Sequence, residues 1–214
     1  MSTLRLASWL LIVGPIGTFV VWGILDPIIV GEVAEGLTSS AAALALLQLR
    51  LDNEVADNLL GISGAICFIG TFGGLILLGR SFQAGGAKLA TLSSLIFPAV
   101  IAVAIGGFGL SLEASSLLKE GETALAASLE ITSNGLFSAV PLFWGLATIL
   151  LGLGITREEG SVPAIMGWLL ALAGVGMLSG VFIDIGNSPL GMVIWLGMSL
   201  VVVATGVVSL RKAD

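Results

Sequence analysis

The chain contains no histidine and no tyrosine, and Cys67 is the only cysteine among its 214 residues. Without imidazole or phenol there is no His-ligated haem, no histidine-rich zinc or iron site, no imidazole base and no tyrosine acid. A lone thiol forms neither an internal disulfide nor a CxxC pair. Charge is scarce too. Only 10% of residues are charged, the net charge is −6, and no basic run or groove is present, so no nucleic acid is expected as a partner. The apolar runs carry no Lys or Arg inside and no acidic residue near their middles. A proton relay, a voltage sensor or a retinal Schiff base ordinarily needs such a group there. The absences point away from most membrane enzymes and redox subunits, and the expectation is a non-enzymatic protein with no cofactor and no metal.

What fills the chain instead is apolar surface. Residues classed as hydrophobic make up 57% of it and the mean hydropathy is +1.12, far from the balance of a soluble domain. Runs at about 6–25, 58–79, 89–111, 132–155, 163–183 and 189–210 each provide roughly the 20 residues that cross about 30 Å of hydrocarbon as an α-helix. The first run follows Arg5, is about twice a signal-peptide core and lacks a small-x-small cleavage site, so it reads as a retained helix. No strand alternation of a closed barrel is visible. The sequence therefore predicts an all-α fold, a polytopic membrane helical bundle of six transmembrane helices in the lipid bilayer, built as a single domain over 1–214.

Orientation follows from the basic residues. Arg5, Arg80, Lys88, Arg157, Arg211 and Lys212 fall on one side of the six-span plan, and only Arg50 and Lys119 on the other. Both termini are expected to be cytoplasmic. Most carboxylates, among them Asp26, Asp57, Glu130 and Asp184, fall outside. Two outer connections are long. The first, about 38–56, opens with Thr38, Ser39 and Ser40 as candidate caps and spaces Leu44, Leu47, Leu51 and Val55 for one helical face, as an outer amphipathic segment would. The second, 111–131, has a break at Gly121, with Thr123 to Glu130 extending the fourth helix outward.

Thirty glycines suit close helix contact in lipid. Gly70 and Gly74 form GxxxG in the second span, and Gly176 and Gly180 form another in the fifth; both are read as internal packing. Pro15, Pro98 and Pro141 fall inside spans, where kinks are expected. The most suggestive polar set is Glu130, Asn134 and Ser138, spaced by four on the fourth helix, with Ser63, Cys67 and Thr71 spaced likewise on the second. If those faces met near Asp26, Asp57, Asp184 and Asn187, an outward-facing acidic vestibule for a ligand or cation would result. Capping and interhelical hydrogen bonding account for the same residues.

The stretch Leu142-Phe143-Trp144-Gly145-Leu146 to Leu151-Gly152-Leu153-Gly154, followed by Arg157, Pro163, Gly167 and Leu172-Ala173-Gly174-Val175-Gly176, resembles the bacterial and archaeal membrane family known as domain of unknown function 4386. The resemblance implies six helices with a long outer segment after the first, in the plasma (inner) membrane of a prokaryote. It brings no activity and no catalytic residues. The reading is a packing or accessory subunit, with a possible membrane-protein partner, or a binder of a small apolar molecule or lipid-like ligand. The alternative is a small-solute or cation transporter that uses the acidic vestibule.

Overall fold

The computed structural model describes residues 2–34, 36–159, 162–180, 182 and 189–212. All regular structure among them is helical. The elements are α1 (Thr3–Ile29), α2 (Ser39–Asp52), α3 (Glu54–Arg80), α4 (Ala87–Lys119), α5 (Thr123–Phe137), α6 (Val140–Ile155), α7 (Ala164–Ser179) and α8 (Pro189–Lys212). By length and composition, five stretches are able to cross a bilayer: α1, α3, α4, the pair α5 and α6 taken as one run, and Leu190–Lys212. The fifth expected span differs. Its described helix, α7, has 16 residues, a rise of only ~24 Å, and Gly180 is its C-cap.

Several ends lie beyond the hydropathy boundaries, for local reasons. Helix α4 does not stop near 111. Its 33 residues extend ~50 Å, because the outer segment after Ser111 is itself built of helix formers. Gly121, at φ +88°, turns the chain into α5. Within α1 the segment Phe19–Leu25 is π-helical, and the Asp26 N–H bonds the Val21 carbonyl five residues back. Pro27, which has no N–H, follows directly. Pro98 sits inside an unbroken α4. Pro141 stands in the first turn of α6, after a break at Ser138 and Ala139, where a missing donor costs nothing. Helix α2 starts at the expected cap: the Ala41 N–H donates to Thr38 Oγ1 at 3.4 Å.

The helices form two compact units, one of Met1–Gly17, Ile66–Ile101 and Val140–Asp214, the other of Thr18–Ala65 and Ala102–Ala139. The first has an aromatic core. Phe72 packs on Phe68, Phe97 and Trp144 with ring centroids 4.7, 5.7 and 5.1 Å apart, and Ser93 Oγ donates to the Ala147 carbonyl at 2.7 Å. A close seam in it joins α6 to α7. A Cβ on Gly152 would lie 2.5 Å from the Gly167 carbonyl oxygen, and one on Gly145 2.7 Å from that of Gly174. The reverse contacts are as close, so two glycines seven residues apart on each antiparallel helix let the backbones touch. The GxxxG pairs are less uniform: a Cβ on Gly74 would meet Leu11 at 3.0 Å, whereas one on Gly70 or Gly176 would find its nearest neighbour at 3.6 Å.

On one rim of this unit Glu158 accepts backbone N–H groups of Gln83, Ala84 and Gly86 at 2.8 to 3.1 Å. Burial pushes its carboxyl up, but the three donors outweigh that and hold it below the ordinary glutamate range. A single side chain thus ties the α3–α4 turn to the end of α6.

The second unit packs α2 onto α4 and α5. Leu47, Ala114 and Ala126 are fully buried against one another, with Leu117, Leu118 and Leu129 around them. Ser133 Oγ donates to the Gly107 carbonyl at 2.8 Å, and Phe108 packs between Trp22 and Phe137 at 5.3 and 5.1 Å. Helix α2 is therefore a packed element of this unit, and its buried residues are Ala43 and Leu47. Val55, expected on the same apolar face, is 76% exposed, because Asn53 ends α2 and α3 begins on a new axis.

Candidate functional site

The charged centre of the second unit lies one helical turn from its apolar centre. Arg50 is three residues after Leu47, Ser111 three before Ala114, and Glu130 four after Ala126. The spacing that brings the three apolar residues together therefore brings these polar ones together. Arg50 Nη1 donates to Glu130 Oε1 at 3.1 Å and also to Ser111 Oγ. Ser111 in turn donates to Glu130 Oε2 at 2.6 Å. Glu130 is 1% exposed, and both its oxygens are satisfied, which is the condition for burying a carboxylate at tolerable cost.

Asp57, half-buried in the first turn of α3, has Oδ1 3.8 Å from Arg50 Nε, an ion pair without a hydrogen bond. Arg50 attracts Asp26 as well, while Asp26 and Glu130 repel Asp57. Three expected carboxylates thus gather around one guanidinium. Asn53, at the α2–α3 junction, donates to the carbonyls of Leu49 and Val30 and fixes the joint that aims Arg50 and Asp57 at each other.

Beside this network is a pocket of about 210 Å³ lined by Arg50, Leu51, Glu54, Asp57, Asn58, Leu112, Ser115, Ser116 and Lys119. Lys119 Nζ pairs with Glu54 Oε1 at 2.7 Å on its open rim. The Ser115 hydroxyl is spent on the Ser111 carbonyl.

The remaining expected residues fall elsewhere. Asn134 and Ser138 are exposed, and Ser138 Oγ donates to the Asn134 carbonyl on its own helix. The buried face of α5 is Ala126, Ala127, Glu130 and Ser133. A spacing of four drifts by about 40° per step on a helix of 3.6 residues per turn, so Ser138 is rotated well away from Glu130. Ser63 and Thr71 likewise bond the carbonyls of Leu59 and Cys67. Asp184 and Asn187 lie outside the described residues. Gly176 lines an open apolar groove of about 240 Å³ between α7 and α8, together with Leu172, Ile194 and Met198.

Arg50, Ser111 and Lys119 were not among the expected site residues. The signal for Arg50 was its place three after Leu47 on the buried face of α2. Among the described residues no three His, Cys, Asp or Glu side chains are grouped to hold a metal ion. No known protein family, curated protein or solved structure matches the chain.

Proposed function

We propose that the chain is a non-enzymatic, multi-pass protein of a prokaryotic inner membrane that holds a lipid-like amphiphile in the pocket of its second unit, alone or as an accessory subunit of a membrane-protein partner. The observation that carries this reading is the mixed wall of the pocket. Arg50, Glu54, Asp57 and Lys119 are on it beside Leu51 and Leu112, the latter 61% exposed, so a polar head and an apolar tail would each find a matching surface.

Six crossings with both termini cytoplasmic complete the proposal. The basic residues support the orientation. The apolar sequence that continues from Ser179 to Ile183 supports the number of crossings.

The test is native mass spectrometry of protein extracted gently from its own membrane, with identification of retained molecules. A reproducible lipid-like ligand or partner protein is the expected result; bare monomer with only bulk lipid would overturn it. Transport of a small solute or cation is a second reading, favoured by the excess of Asp26, Asp57 and Glu130 over Arg50. Solute or cation flux in proteoliposomes, lost in Asp57→Asn, would move the conclusion there.

A further inference from the structure

We infer that the pocket selects a zwitterionic head, a phosphate joined by a short linker to a primary ammonium, as in phosphoethanolamine; this rests on the amphiphile reading above. The pocket presents both signs at short range. Arg50 and Lys119 supply positive charge, and Asp57 and Glu54 supply negative charge.

Arg50 spends Nη1 on Glu130 and Ser111. Its other guanidinium nitrogens, Nη2 and Nε, form no hydrogen bond among the described residues, which leaves them for a phosphate oxygen. Guanidinium is the group best shaped for that role. The buried Glu130 carboxylate holds the fork in place before any ligand arrives. Asp57 likewise accepts no hydrogen bond among the described residues, although it is half-buried, so it is a ready acceptor for an ammonium N–H.

The Lys119–Glu54 pair is about half exposed on both sides. Such pairs contribute little to stability, so this one opens readily, with lysine turning to the phosphate and glutamate to the ammonium. At about 210 Å³ the pocket is below the range that encloses a drug-sized molecule; it admits a head and leaves the tails outside against Leu112. A purely anionic head would set its charge against Asp57 and Glu54, and a quaternary ammonium would have no N–H to donate to them.

The full chain in detergent is incubated with phosphatidylethanolamine, phosphatidylglycerol and phosphatidylcholine at equal concentrations. Retention is read by native mass spectrometry and thermal midpoint, with free phosphoethanolamine and inorganic phosphate as separate arms. Phosphatidylethanolamine should be retained about fivefold over the other two, the scale of one partly exposed ion pair. Glu54→Gln, on the exposed rim and expected to fold normally, should bring the ratio close to one, whereas Lys119→Gln, which removes a contact to the phosphate that all three lipids share, should weaken retention of all three without abolishing the preference. If free phosphoethanolamine displaces the lipid, the head alone is read; if it does not, the head is read only on a membrane lipid. Inorganic phosphate should do neither.

Equal retention of phosphatidylglycerol, or a ratio unchanged in Glu54→Gln, would overturn the inference while leaving the amphiphile reading in place. Failure of the wild-type chain to retain any lipid would remove both.

Discussion

Arg50 holds the second unit's polar centre together, and its loss should be costly because of what it leaves behind. With Glu130 1% exposed, Arg50→Leu leaves a buried carboxylate without its counter-ion, with only Ser111 still donating to it, and should destabilise by about 3 kcal/mol, the low end for breaking a buried pair because Arg50 is 29% exposed. The double variant Arg50→Leu/Glu130→Leu should recover most of that loss, since an ion pair replaced by apolar side chains is often close to neutral. Thermal unfolding of the two singles and the double in one detergent measures the coupling; additive losses would show that the pair does not interact.

Glu158 gives a prediction with the opposite chemistry, a carboxylate stabilised by backbone donors on an exposed rim. Its folded pKa is lowered, so it contributes stability that is fully present above the unfolded value of about 4.3 and is lost as pH falls through the folded value. Stability curves of wild type and Glu158→Gln should therefore differ above about pH 4.3 and converge in more acidic solution. A difference that persists unchanged at pH 2 would assign the residue a different role. Neither side chain was apparent from composition. Arg50 counts in a sequence only as one positive charge on the outer side, and the donors to Glu158 are main-chain groups more than seventy residues away.

Among the elements, hydropathy located the helices well and their ends poorly. The long runs are legible because lipid tolerates little else than apolar residues on a spanning helix, and the α2 cap at Thr38 was legible because Ser and Thr at that position satisfy an orphan donor. Where α4 ends and where α5 turns its face were not, because the outer segments obey packing rather than hydrophobicity. The glycines show the same divide. GxxxG spacing identified Gly74, but the backbone contact of α6 with α7 uses Gly145, Gly152, Gly167 and Gly174, a seven-residue spacing on antiparallel partners that becomes meaningful only once α6 and α7 are known to face each other. Gly152→Ala places a Cβ 2.5 Å from a backbone oxygen, where no side chain can move aside, and should lower stability by about 1–3 kcal/mol. Gly176→Ala, with 3.6 Å available, should change it by less than about 0.5 kcal/mol. Equal unfolding midpoints for the two variants would show that the α6–α7 seam yields at little cost.

For the molecule as a whole, the topology turns on α7. Its 16 described residues are too few to span about 30 Å unaided, yet the charges beyond the next helix favour a full crossing. With five crossings Arg211 and Lys212 would end on the outer side, against the bias of the other basic residues; with six they join Arg5, Arg80, Lys88 and Arg157. Two positive charges directly after a span weigh heavily in that choice, so six crossings are the expected outcome. Single-cysteine reporters in a Cys67→Ala background decide this. In intact cells a membrane-impermeant maleimide should label Ser116→Cys and Phe182→Cys, while Ser81→Cys and Lys212→Cys should react only after permeabilisation. Labelling of Lys212→Cys from outside, together with protection of Phe182→Cys, would mean that α7 turns back within the bilayer, and the chain would then have an odd number of crossings and its C-terminus outside.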